Sequence, residues 1–152
     1  YMSDAGSKMP SFTLVDHEGV SVTSTGLAGS WYLLYWYPKA DTPGCTAQAQ
    51  GLRDQIESFD DLDCVVLGAS FDTPEENAAF RNKYGLPFRL LTDPDHSVAV
   101  ALGAADAADA ANARRVAHLV DPTGVIQQRY EVDDPEFFAE LVLDDLEAAQ
   151  PE

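Results

Sequence analysis

The residues best suited to chemistry lie in one stretch, Tyr37-Pro38-Lys39-Ala40-Asp41-Thr42-Pro43-Gly44-Cys45-Thr46. Pro38 and Pro43 fix φ and withhold backbone donors, so the segment reads as a stiff loop that cannot prolong a strand. Helical periodicity starts directly behind it: Cys45, Ala49, Leu52, Ile56 and Phe59 recur at i, i+4, i+7, i+11 and i+14. Cys45 is therefore expected in the first helical turn, on the side facing the protein. Unpaired N–H groups and the positive end of the helix dipole favour a thiolate there by up to about 2 kcal/mol. Partial burial opposes ionisation, so a reactive Cys45 needs a second positive group. Thr42 puts a hydroxyl three residues before the sulfur, and Gly44 permits close approach to the backbone. The competing reading makes Cys45 a small buried residue under the preceding strand, the usual setting of a free cysteine.

The loop must be held by a strand before it and a helix after it. Trp31 to Tyr37 is an unbroken run of large apolar residues, the pattern of a strand buried on both faces. Leu62 to Phe71 holds a second apolar run, Val65-Val66-Leu67-Gly68-Ala69, and reads as another interior strand. Phe12–Val15 and Val20–Thr23 alternate weakly around Asp16-His17-Glu18-Gly19, an N-terminal hairpin with His17 solvated at its tip. Thr73-Pro74-Glu75-Glu76 has the form of a capping box, and Gly85 ends that helix. Leu90-Leu91 reads as a short strand. Asp93-Pro94-Asp95 opens a helix carrying Val98, Ala101 and Leu102, with His96 exposed; the Ala- and Asp-rich stretch from Gly103 to Asn112 fits either more helix or a loop. Val116–Val120, the turn Asp121-Pro122-Thr123-Gly124 and Val125–Tyr130 form a strand pair, and Asp134-Pro135-Glu136 starts a last helix burying Phe138, Leu141, Val142 and Leu146. Strands interleaved with helices predict a single α/β domain over 1–152: a mixed central sheet flanked by helices on both faces.

The chain has 152 residues and a formal net charge of −17, from 26 acidic and 9 basic residues. Such a surface repels a phosphate backbone, which argues against a nucleic-acid partner. Its Asp-rich, Lys-poor character suits a saline medium, where screening relieves self-repulsion. With no long apolar run and a polar start at Met2-Ser3, neither a membrane span nor a secretion signal is expected, and a cytoplasmic location follows. Tyr1 ahead of Met2 reads as a cloning remnant. The two cysteines and three histidines have no metal-ligand spacing, no Cys-x-x-Cys occurs, and no metal or cofactor is expected.

The segment 37–46, with Leu52-Arg53-Asp54 behind it, resembles the active-site segment of the peroxiredoxins, most of all the bacterioferritin-comigratory-protein or Q-type branch. The likeness continues through Gly68–Asp72, Ala79-Phe80-Arg81, Lys83–Phe88, Leu90–Asp93 and Arg115–Gly124. It implies a thioredoxin-like fold with an N-terminal β-hairpin, and a thiol peroxidase that reduces hydrogen peroxide and organic hydroperoxides through a sulfenic acid on Cys45. It also implies that an arginine entering the strand before Val116–Gly124 contacts the sulfur. Arg115 matches in spacing, whereas Arg114 is one residue out of phase and points to the opposite face. Thr42, the Cys45 N–H and Arg115 become the donors to peroxide; Pro38 covers the sulfur, and Tyr37, Pro43 and Gly44 shape the pocket. Two positions depart from the branch: Gln50 stands where a resolving cysteine is common, and Gln48 where Glu is usual. Cys64, starting an interior strand, is a possible resolving residue but reads better as core. The expected enzyme is thus of one-cysteine type, a monomer or weak dimer reduced by an external thiol or a thioredoxin/glutaredoxin-type protein. A non-catalytic redox sensor or holdase is the alternative, and a cysteine hydrolase would need His118 as a base near Cys45.

Overall fold

The computed structural model describes residues 4–150; the sequence readings that concern Tyr1, Met2 and Ser3 lie outside it. Seven strands form one mixed sheet: β1 (Thr13–Asp16), β2 (Ser21–Thr23), β3 (Trp31–Trp36), β4 (Cys64–Ser70), β5 (Arg89–Thr92), β6 (Val116–Val120) and β7 (Ile126–Glu131). Their order is β2-β1-β5-β4-β3-β6-β7. β3, β4 and β5 run parallel, and the hairpins β1/β2 and β6/β7 join antiparallel at either side. The central position of β3 explains its unbroken apolar run.

Side-chain alternation along β3 divides the core in two. Leu33, Tyr35 and Tyr37 point to the face covered by α2 (Pro43–Asp54), α3 (Ile56–Asp61), α4 (Pro74–Tyr84) and α6 (Phe138–Ala149). Tyr32, Leu34 and Trp36 point to the face covered by the first hairpin, α1 (Ser24–Leu27) and α5 (Ser97–Ala101). This is the expected thioredoxin-like α/β arrangement with an N-terminal hairpin.

Local chemistry accounts for most boundaries. Thr73 and Glu76 cap α4 reciprocally, and Gly85 closes it with φ +62°. The Asp121 carboxylate accepts from the N–H groups of Thr123 and Val125 and so shapes the β6/β7 turn. Several expectations are corrected. The periodic segment from Cys45 to Phe59 is two helices, broken at Gln55, where the last turn of α2 closes on Leu52 and Arg53 carbonyls. α5 starts only at Ser97, where the Asp93 carboxylate accepts from the Ala99 N–H, and Ala99 is its buried alanine. For 103–112, where helix and loop are both open, the structure has no helix. His96 is not simply exposed: its ring stacks on Phe71 at 3.6 Å. His17 is mostly covered, its side chain 10% exposed. Leu141 faces out at 52% exposure, and Ala139 and Leu143 take the inward positions on α6.

Gly68, in the middle of β4, permits the tight packing behind the site. A Cβ there would lie 2.9 Å from Leu90 Cδ2 and 2.9 Å from the Tyr35 ring. Gly68→Ala is expected to lower stability by about 1–3 kcal/mol through overpacking, measured by denaturant unfolding; an unchanged midpoint would contradict this packing.

Candidate active site

Cys45 is the third residue of α2, 1% exposed, at the end of the sheet where β3 finishes. Pro43 occupies the first helical turn, where a missing N–H is no loss. The first helical bond runs from the Thr46 N–H to the Thr42 carbonyl (2.8 Å), so the Cys45 N–H belongs to the group of N-terminal donors outside the helical ladder.

Arg115, immediately before β6, crosses to this helix end. Its Nη1 donates to Cys45 Sγ (3.5 Å) and to Gln48 Oε1 (2.9 Å). Arg114 goes the other way, to the Gly103 carbonyl and Asp106, as its phase along the strand predicts. Gly44 makes room for the guanidinium: a Cβ at this position would stand 2.9 Å from Arg115 Nη2. Gln48 is 1% exposed and sits one turn after Cys45 on the same helix face. As a neutral amide it holds the guanidinium without cancelling its charge.

The loop carrying Thr42 is tied down from several sides. The Asp72 carboxylate accepts from the Ala40 N–H (2.8 Å), from Ser70 Oγ and from Lys39 Nζ, and Lys39 also meets Glu76. Hydrogen bonding to Asp72 raises the Lys39 pKa above the usual lysine value. Asp41, at φ +61°, accepts from Lys83 Nζ and the Tyr84 hydroxyl, both at 2.7 Å. Those bonds, with Lys83 the larger influence, hold its carboxyl below the usual range. Tyr37 is fully buried and donates to Asn77 Oδ1 (2.6 Å), so its role is to anchor the loop's base. The Thr42 hydroxyl donates to the Lys39 carbonyl (2.8 Å) and does not cap α2. Its hydrogen is therefore engaged, which leaves its lone pairs as acceptors. Pro38 is half-buried and Pro43 exposed. Pro135, in the 3₁₀ turn Pro135–Phe137 before α6, approaches within 3.9 Å of the Gly44 Cβ position, a neighbour with no signal in the sequence.

Cys64 lies elsewhere. It pairs with Trp31 at the start of β3, whereas Cys45 follows the far end at Trp36. Five strand steps at about 3.3 Å separate these ends by about 17 Å, well beyond disulfide reach. Burial pushes the Cys64 thiol up to about 12. A cleft of about 690 Å³ opens beside it, lined by Leu27, Ile56, Asp63, Cys64 and Phe88 among others, at the opposite end of the sheet from Cys45. His118 is buried in the middle of β6, paired with Leu34, and so is not at the loop where a base for Cys45 would be needed. Among the described residues no group of His, Cys, Asp and Glu is arranged to hold a metal, and no helix is long and apolar enough to cross a membrane.

The model of the AhpC/TSA family matches residues 5–129. The chain belongs to this family. Peroxiredoxin Bcp of Escherichia coli K12 is 46% identical over 99 residues, covering 65% of this chain and 64% of that protein. Peroxiredoxin Bcp of Bacillus subtilis is 42% identical over 98 residues, 64% of this chain and 62% of that one. The matched stretches thus span somewhat less than two thirds of these relatives' length. Among solved structures, the bacterioferritin comigratory protein of Xanthomonas campestris, described for its alkyl peroxide reduction activity, superposes with a TM-score of 0.84 at 27% identity over 91% of both chains. A Mycobacterium tuberculosis BcpB structure reaches 0.90 at 24% identity, over 97% of this chain and 99% of that one, a likeness of fold.

Gly44→Ala is expected to displace Arg115 and slow Cys45 oxidation by about tenfold or more, read by stopped-flow with hydrogen peroxide; an unaltered rate would mean the close approach is irrelevant. In a separate check, iodoacetamide at pH 8 should leave Cys64 unmodified in the folded protein, since a thiol raised this far has almost no thiolate there. Reactivity should return only towards strongly alkaline pH or on unfolding.

Proposed function

We propose that the chain is a thiol-dependent peroxidase acting on hydrogen peroxide and organic hydroperoxides through Cys45. The observation that carries this reading is the contact of Arg115 Nη1 with Cys45 Sγ at the N-terminus of α2. Two independent sources of positive potential converge on one sulfur, a setting that can hold the negative charge developing on a peroxide oxygen.

In the proposed reaction the thiolate attacks the nearer peroxide oxygen. The S–O bond forms as the O–O bond breaks; the sulfur is oxidised to the sulfenic acid, and the peroxide is reduced to an alkoxide or hydroxide that takes up a proton. Arg115 and the Cys45 N–H face the charge that develops on oxygen. Thr42, whose hydrogen is engaged by Lys39, takes the acceptor role and orients the peroxide O–H. Gln48 positions Arg115, and Pro38 limits access of water. The alkyl peroxide reduction described for the Xanthomonas relative supports the inclusion of organic hydroperoxides.

The remoteness and protonation of Cys64 support a one-cysteine cycle completed by an external thiol or a thioredoxin/glutaredoxin-type reductant. One equivalent of peroxide should add one oxygen atom to the intact protein and none to Cys45→Ser, with steady-state peroxide consumption in excess dithiothreitol. Loss of two hydrogens would instead make Cys64 a resolving partner. A single oxidation without turnover would leave a redox sensor or holdase, and no mass change would remove the peroxidase reading.

A further inference from the structure

We propose that the exposed apolar ridge of Phe137 and Leu141 docks a dithiol protein whose reactive face is basic, and that this protein reduces Cys45. The inference rests on the peroxidase reading: a sulfenic acid at Cys45, with Cys64 far away and protonated, needs a reductant from outside the chain.

Phe137 and Leu141 are 60% and 52% exposed, unusual for side chains of this size one helical turn apart. With Tyr130, Val132 and Phe138 they line a cleft of about 240 Å³ between the end of β7 and α6, enough for one large apolar side chain. The ridge borders the reactive helix. Pro135 reaches towards Gly44, and the Glu136 carbonyl lies 3.6 Å from the Gly51 Cβ position, so the 3₁₀ turn spans α2 from its N-terminus to its third turn. A partner seated here stands beside the mouth of the Cys45 site.

Charge selects the partner. Asp133, Asp134, Glu136 and Glu140 are exposed around the ridge, and Glu131 is exposed with Arg129 at 3.5 Å. No Lys or Arg follows Arg129 in the sequence. A second copy would bring the same carboxylates against these, and an anionic hydroperoxide would be repelled; a protein with an apolar centre and a rim of lysines or arginines meets both features. Chemically, one thiol of the partner displaces the oxygen of the Cys45 sulfenic acid, giving a mixed disulfide and water. Its second thiol then attacks that disulfide, leaving the partner oxidised and the Cys45 thiol restored.

The test uses the full chain, wild type and Phe137→Ser/Leu141→Ser, with three reductants: dithiothreitol, a thioredoxin carrying lysines around its Cys-x-x-Cys face, and the same thioredoxin with those lysines changed to glutamate. Sulfenic acid formation under one equivalent of peroxide is followed by mass. The expected result is unchanged oxidation and unchanged dithiothreitol turnover in the double variant, with KM for the basic thioredoxin raised roughly tenfold. In the wild type the glutamate form should be the poorer reductant, and the preference should shrink as salt rises. A second variant, Asp133→Lys/Glu140→Lys, should reverse the preference whatever becomes of the first. Equal KM values for wild type and variants overturn the proposal. So does a wild-type dimer in sedimentation that the serine variant dissociates, which assigns the ridge to a second copy, or a variant defect confined to oxidation by long-chain hydroperoxides, which assigns it to substrate. Absence of added oxygen on wild-type Cys45 fails the peroxidase reading itself and is seen before any reductant is added.

Discussion

The structure depends on bringing a guanidinium from β6 against a sulfur at the start of α2. Neither group can do this alone. The N-terminus of α2 presents N–H groups outside the helical ladder to a cysteine that is 1% exposed. Arg115 brings a positive charge to 3.5 Å from the sulfur, where Gly44 has no Cβ to exclude it and Gln48 offers an acceptor one turn along the helix. The strand order makes the meeting possible: β6 lies directly beside β3, so the residue entering β6 and the loop leaving β3 are at the same end of the sheet.

Around this contact the protein is built to resist movement. Asp72 and Asp41 fix the loop from the strand side and from α4, and Tyr37 anchors its base through Asn77. Such a frame holds the sulfur in place beside Thr42 and Arg115.

Much of this was legible in the residues. The continuous run at Trp31–Trp36, the capping box at Thr73 and the turn at Asp121 are local signals, each tied to backbone chemistry within a few positions, and each appears where the pattern predicts it. Arg115 was accessible through family resemblance and strand phase. What stayed hidden is non-local. The Ala- and Asp-rich stretch after Gly103 has no apolar period; its Ala108 carbonyl lies 2.8 Å from Nδ1 of His96, whose ring stacks on Phe71 twenty-five positions away. The late start of α5 goes with a hydrogen bond from the Ala99 N–H to Asp93, six positions back, which periodicity does not report. Thr42 kept its predicted place but not its predicted hydrogen, because the Lys39 carbonyl lies within reach only once the loop has folded back. Gln48 was visible as a departure from the branch, yet its contact with Arg115 requires the sheet.

The most direct measurement is the second-order rate constant for hydrogen peroxide with reduced Arg115→Leu at pH 7, beside the wild type and with the oxidised residue located by peptide mass. If the guanidinium supplies the second positive field, the variant should still oxidise at Cys45 but about 10²-fold more slowly. Equal rate constants would contradict the account and leave Arg115 as a structural neighbour of the sulfur.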